Sequence, residues 1–231
     1  MTVSDNREPA EESKLGKHVT EPASWELEVD EIISYPYPFT MSKILTEKHV
    51  GKYAIEKSVT PVGTVVEGFD WHNGKIRSVK ITFNYLVVKL TEDGNTWMSD
   101  NMFEVESNLG AVDLARGDVL IGGLGIGMLP TLIQDKVNSI DIVELSQDVI
   151  DLVFHQVATD KMNIIQDEIC HYLTTTEKKY DLVCIDIWQN TFLPIWDIEG
   201  MKGVAQRCLK PGGITWCWLE EMYKHSTVAE A

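Results

Sequence analysis

No apolar run in this sequence approaches the roughly 20 consecutive residues that a membrane-spanning helix needs. Its opening residues, MTVSDNREPAEESK, lack the apolar centre of a secretory leader. Positive charge is scarce: 20 Lys and Arg stand against 36 Asp and Glu, a net charge of −16. That balance excludes the basic footprint of a nucleic-acid binder and opposes an anionic membrane surface. It favours cationic small molecules instead. Cysteine is sparse as well, and Cys170, Cys184, Cys208 and Cys217 contain no CxxC pair. Cys184 and Cys217 fall inside apolar runs, so the four read as reduced core thiols of a cytoplasmic protein. His155, His171 and His225 have no metal-ligand spacing, and no metal is expected. Hydrophobic residues make up 44% of the 231, enough to bury one sizeable core.

What is present is organised around residues 117–144, GDVLIGGLGIGMLPTLIQDKVNSIDIVE. Asp118 to Ile121 is an apolar run of strand length. Gly122-Gly123-Leu124-Gly125-Ile126-Gly127 follows, whose glycines permit a tight turn and a close ligand approach. The spacing predicts a helix over Met128 to Val137, with Pro130 in its first turn, where no backbone donor is lost. A second apolar run, Ser139 to Val143, ends in Glu144, where a carboxylate can accept from both hydroxyls of a ribose. Such a unit reads as nucleoside binding rather than strand–helix packing alone.

Residues 1–22 are polar and read as a disordered tail, and 23–110 as a leader with a small antiparallel β subdomain. Within the leader, KYAIEKSV alternates, Asn73-Gly74 is a hairpin signal, and IRSVKITFNYLVVKL is one long β-rich run. Glu92 to Asn95 turns that run back into TWMS, and Phe103 to Ala115 reads as a helix. Residues 111–231 then alternate strand and helix. A helix follows Ser146, strands end at Asp167 (Asn163 to Gln166) and at Asp186 (Tyr180 to Ile185), a helix covers Met201 to Leu209, and a last strand runs from Ile214 to Leu219. The fold class implied is α/β: a doubly wound, mostly parallel, Rossmann-like sheet with helices on both faces. Only EEMYKHSTVAEA follows Leu219, so the sheet's far-edge strands look truncated and its fifth strand looks uncovered. A homodimer is one way to cover it.

VLIGGLGIG, IDIVE, IIQDEICHYL, YDLVCID and LKPGGITW together resemble the class I S-adenosylmethionine-dependent methyltransferases, over roughly Gly117 to Leu219. The hairpins before them, with TWMSDNMFEVE, resemble the leader of the spermidine synthase branch. The resemblance implies that Gly123, Gly125 and Gly127 pass under the methionine part of S-adenosylmethionine. It implies that Glu144, with Leu145 beside it, holds the ribose, that Asp167 or its neighbour Glu168 meets the adenine, and that Asp186 stands where the transferred group meets its acceptor. Two departures oppose aminopropyl transfer. Ile126 stands where spermidine synthases carry an acid, and Gln189 stands where they carry a second one.

The residues and the resemblance together lead to methyl transfer from S-adenosylmethionine to a small cationic acceptor. Asp186 is the candidate catalytic residue, and Trp188, Gln189, Asp100 and Glu106 are candidate acceptor contacts. Alternatives are a polyamine aminopropyltransferase using the decarboxylated cofactor, and a protein that binds or degrades the cofactor without methylating. NAD binding fits less well, because the glycines are spaced GxGxG and acids also end the third and fourth strands.

Overall fold

The computed structural model describes residues 39–70, 74–188, 195–218 and 220, and at 31–33 and 195–197 the course of the backbone alone. Among the described residues the leader holds seven strands: β1 (Glu31–Ile33), β2 (Lys48–Val50), β3 (Tyr53–Thr60), β4 (Val65–Asp70), β5 (Lys75–Ile81), β6 (Tyr85–Glu92) and β7 (Asn95–Ser99). They form two sheets, ordered β2-β3-β6-β7 and β1-β5-β4, where the sequence reads as one. The long β-rich run is broken at Thr82 to Asn84, so β5 pairs with β4 and β6 with β3. Asn84 fixes that corner by accepting the Val62 N–H at 3.3 Å. A further difference is that β1 pairs with β5 in parallel. The β6–β7 turn carries positive φ at both Asp93 (48°) and Gly94 (79°), the conformation that matches the twist of a two-residue hairpin.

The helix expected over 103–115 is two short ones, α1 (Met102–Ser107) and α2 (Leu109–Leu114), joined at Asn108. Asn101 caps α1, its side-chain oxygen accepting from the N–H groups of Phe103 (3.0 Å) and Glu104 (3.2 Å).

The described residues of the second half supply five parallel strands: β8 (Asp118–Gly122), β9 (Ser139–Glu144), β10 (Met162–Gln166), β11 (Tyr180–Ile185) and β12 (Leu209–Cys217). Their order is β10-β9-β8-β11-β12, a Rossmann-like sheet whose direction of winding reverses between β8 and β11. Helix α3 (Met128–Ile133) follows β8 and is shorter than its spacing suggests. Helices α4 (Gln147–Val149) and α5 (His155–Val157) flank a π-helical stretch, Ile150–Phe154, and α6 (Ile169–Thr175) follows β10. Helix α7 (Ile195–Ala205) begins six residues before the expected Met201, because Gly200 and Gly203 sit inside it rather than ending it.

Alternation along the strands loads both faces of this sheet. Val119, Ile121, Ile140, Ile142, Leu182 and Cys184 pack on one side, with Met128, Ile133, Leu152 and Val153. Leu120, Val143, Val183, Ile185 and Cys217 pack on the other, with Leu173, Ile198 and Ala205. The first cluster runs on without a break into Met41, Leu45, Ile55, Val88 and Leu90 of the leader. Each of these fully buried aliphatic side chains contributes about 1.5–3 kcal/mol, so the leader is docked by its core. The buried Asp141 within β9 is compensated by Lys178 Nζ at 2.6 Å and Tyr180 Oη at 2.7 Å. No helix among the described residues is long and apolar enough to cross a membrane.

Candidate functional site

In open α/β sheets the crevice for a ligand lies beyond the carboxyl ends of the strands, where the winding reverses. Here that crevice is a cavity of about 590 Å³, roofed by the leader. Backbone bonds continuing past the strand ends hold its floor: Gly123 N–H to Val143 O (2.8 Å), Asp167 N–H to Glu144 O (3.1 Å) and Asp186 N–H to Gly122 O (3.0 Å). Asp167, Glu144 and Asp186 thereby lie at the ends of β10, β9 and β11 along one rim, with the glycine loop after β8 between the last two, and all three line the cavity with Leu145, Glu168 and Trp188.

Glu144 ties the glycine loop to the second strand. Its Oε2 accepts from Leu124 N–H at 2.9 Å and its Oε1 from Ser146 N–H at 2.8 Å. Each oxygen keeps a lone pair for a ligand hydroxyl. Asp167 accepts from Glu168 N–H (2.8 Å) and meets His171 Nδ1 (2.9 Å), whose hydrogen bond holds its carboxyl below the usual range. Glu168 instead caps α6, accepting from the N–H groups of Cys170 (3.0 Å) and His171 (2.9 Å).

The three loop glycines all adopt positive φ, and each is also required by protein packing. A Cβ on Gly123 would fall 2.2 Å from the Asp186 carbonyl oxygen, and one on Gly125 2.0 Å from Met98 Sδ. One on Gly127 would fall 2.9 Å from the Val157 methyls. Gly123 and Gly125 line the cavity and Gly127 does not. Met98 closes the loop from the leader, its sulfur accepting the Ile126 N–H at 3.2 Å.

Asp186 is pushed up to about 7 by burial against the end of β11. Opposite it, α1 delivers Glu104, pushed up to about 8. Burial is the main cause, opposed by the Ser99 hydrogen bonds and reinforced by the negative charges of Asp186 and Asp100. Ser99 N–H and Oγ both donate to Glu104 Oε2 at 2.9 Å, and Asn101 Nδ2 does so at 3.3 Å. Next to it, Asn108 is buried, donates through Nδ2 to Glu104 O at 2.9 Å, and leaves its Oδ1 without a partner among the described residues.

Similar solved structures include S-adenosylmethionine-dependent methyltransferases. DhpI in complex with S-adenosylhomocysteine matches at 18% identity and TM-score 0.40, over 48% of this chain and 53% of its own. The N-methyltransferase NodS from Bradyrhizobium japonicum WM9 matches at 15% and 0.44, over 56% and 84%. CalS10, an amino pentose methyltransferase from Micromonospora echinaspora, matches at 17% and 0.36, over 48% and 45%. The chain thus spans about half the length of DhpI. No family model and no curated protein matches it. Likenesses this distant say nothing about substrate, and the chemistry has to be read from the cavity.

The leader's acids divide differently from the expectation. Asp100 does not line the cavity; it is buried and braces the leader, accepting from the N–H groups of Met41 and Val88 at 2.7 Å each. Glu106 also lies outside the cavity, paired with Arg77 Nη2 at 2.9 Å. The acid of this segment that opens into the cavity is Glu104, accompanied by Asn108 and by Glu67 from β4. Gln189 lies outside the described residues. Trp218, read in the sequence only as part of an edge strand, lines the cavity and donates through Nε1 to Ser107 Oγ at 2.9 Å. Among the described residues, no group of three or more His, Cys, Asp or Glu side chains could hold a metal ion.

Proposed function

We propose that this chain transfers a methyl group from S-adenosylmethionine to a small cationic acceptor. The observation that carries the reading is the charge of the cavity. Glu67, Glu104, Glu144, Asp167, Glu168 and Asp186 line it, and no Lys, Arg or His does so among the described residues. Such a site attracts a sulfonium donor and an ammonium acceptor alike. The residues fit the donor: Glu144 has lone pairs free for ribose hydroxyls, Asp167 lies one strand further along, and Gly123 and Gly125 leave the loop backbone bare beside them.

S-adenosylmethionine, when bound, supplies a carbon already activated by its sulfonium. The protein's part is therefore positioning, exclusion of water and custody of one proton. Leu90, Leu124, Met128, Leu129, Trp97 and Trp218 supply apolar walls. Asp186, with a carboxyl raised to about 7, can take the proton that an acceptor must lose before it attacks.

A second reading is favoured by the same charge pattern: with no basic residue lining the cavity among the described residues to meet the donor's own carboxylate, the decarboxylated donor and aminopropyl transfer also fit. Thermal melts with S-adenosylhomocysteine and with NAD test donor binding, with a rise in Tm expected for the first alone. Mass spectrometry of turnover products then separates S-adenosylhomocysteine from methylthioadenosine. A protein stabilised by neither donor nor product overturns both readings.

A further inference from the structure

Successive residues of a strand face opposite ways, yet Trp97 and Met98 both line the cavity. The cause is a bulge in the β6–β7 ladder. Leu90 pairs with Met98 and Thr91 with Thr96, so Trp97 is an extra residue on β7. The bulge sets Trp97 edge-on to Tyr53, with 6.4 Å between ring centres, and sends the Met98 thioether to the glycine loop. Four N–H groups of that loop have acceptors among the described residues. Gly123 donates to Val143 O (2.8 Å), Leu124 to Glu144 Oε2 (2.9 Å), Gly127 to Leu124 O (2.8 Å) and Ile126 to Met98 Sδ (3.2 Å). Of these acceptors, the Met98 sulfur is the one that the leader supplies.

We propose that Met98 is a positioning residue: its sulfur holds the glycine loop in the shape that receives the donor, and oxidation of that sulfur by a hydroperoxide releases the loop. The inference rests on the transfer reading above and adds to it a leader residue that sets donor affinity. A thioether is a weak acceptor, so its hold depends on fit as much as on the hydrogen bond. The fit is close. The sulfur fills the space that a Cβ on Gly125 would need, so the loop closes onto it only because residue 125 is glycine. Gly123 and Gly125, the loop residues that border the cavity with bare backbone, flank the N–H pair that Glu144 and Met98 fix from opposite sides.

Access to oxidant separates this methionine from its neighbours. Met41, Met102, Met128 and Met162 are buried, Met128 to 1% exposure even though it borders the cavity, whereas Met98 is only partly buried and opens on it. Met201 is partly buried too, but its sulfur lies 3.3 Å from Cys170 Sγ in the cluster on the other face of the sheet. In the oxidation a sulfur lone pair attacks the peroxide, the O–O bond breaks, the S–O bond forms, and the peroxide is reduced to water or an alcohol. The sulfoxide is larger and polar. A contact of 3.2 Å between sulfur and the Ile126 nitrogen has no room for an added oxygen, so the loop must withdraw.

Titration calorimetry of S-adenosylhomocysteine on the full chain tests this. Met98→Leu conserves volume, so it should fold, but it removes the acceptor. It should weaken binding about fivefold, what one ordinary hydrogen bond contributes, and speed amide exchange at Ile126. Hydrogen peroxide should weaken binding by the wild type and by Met201→Leu alike and leave Met98→Leu unaltered. Methionine sulfoxide reductases for both epimers, with dithiothreitol, should restore it. Bound S-adenosylhomocysteine should slow oxidation of Met98 and not of Met201, read by peptide mass spectrometry, a protection that a residue serving only the fold would not show. Wild-type affinity in Met98→Leu, or unchanged affinity once Met98 is oxidised, overturns the proposal and leaves the donor reading standing. A wild type that does not bind S-adenosylhomocysteine at all overturns both.

Discussion

Glu104 and Asp186 carry a thermodynamic signature that can be read without a substrate. Both carboxyls are raised, to about 8 and about 7, from ordinary values of 4.5 and 3.8. The folded protein therefore holds protons that the unfolded chain has released, and stability falls as pH rises from about 4.5 through about 8. Above that range the slope from these groups vanishes, and below the ordinary values both states are protonated. Glu104→Gln removes the cost of ionising a buried carboxyl. At pH 9 it should raise Tm relative to the wild type by at least the roughly 2–4 °C that about 1 kcal/mol represents in a chain of this size. At pH 5 the difference should shrink towards zero, and melts at the two pH values check the sign. At the opposite rim, Glu144 already accepts from the Leu124 and Ser146 N–H groups, so Ala there would free two backbone donors as well as a ligand contact. Glu144→Gln isolates the contact better. It should weaken S-adenosylhomocysteine by about 1.5–3 kcal/mol, roughly ten- to a hundredfold, by titration calorimetry.

The glycine loop is the element in which a ligand's needs and the fold's own needs coincide. Gly123 has φ +97°, and a Cβ there would strike the backbone oxygen of Asp186, which cannot swing aside. Gly212 has φ +79° but nothing within 4 Å. Ala at Gly212 should therefore cost only backbone strain, about 1–2 kcal/mol. Ala at Gly123 should cost more and also displace Asp186, so urea melts should separate the two variants, with the Gly123 change the larger. The loop was legible because a buried parallel strand is a short apolar run and its ending acid is conspicuous. That applies to β8, β9 and β11, and to the cavity positions of Glu144, Asp167 and Asp186. The leader was less so. Nothing local in IRSVKITFNYLVVKL marks Thr82 to Asn84 as a corner, since the break depends on pairing with β3 and β4. Which of Asp100, Glu104 and Glu106 enters the cavity depends on how α1 docks against the second half of the chain. That docking is tertiary, and the spacing of the three acids does not reveal it. Helix α7 was misplaced for the opposite reason: Gly200 and Gly203 are strong local breakers, overridden here by the burial of Ile198 and Ala205.

At the scale of the whole molecule, charge and the last strand oppose one another. β12 hydrogen-bonds to β11, and no other described strand pairs with it. Its faces are better protected than its edge. Trp216 is buried, its Nε1 only 3.0 Å from where a Cβ on Gly110 would stand, so α2 lies directly on the ring. Trp218 is anchored to α1 through Ser107. A strand packed on its faces with no described strand along its outer edge is a template for pairing with a second copy, and an isologous dimer through β12 is the simplest closed assembly. Two copies at −16 each repel, and that repulsion is screened over about 8 Å at physiological ionic strength and about 3 Å at 1 M. Association through β12 should therefore strengthen as salt is added, the reverse of an interface held by ion pairs. Sedimentation equilibrium at micromolar protein in about 0.05 M and 0.5 M salt reads this directly. The expected result is a dimer whose dissociation constant falls severalfold at the higher salt, with slowed amide exchange over Ile214 to Cys217. A monomer at both salts whose Ile214 to Cys217 amides are already protected would show that the edge is covered within one chain, and would rule the β12 dimer out.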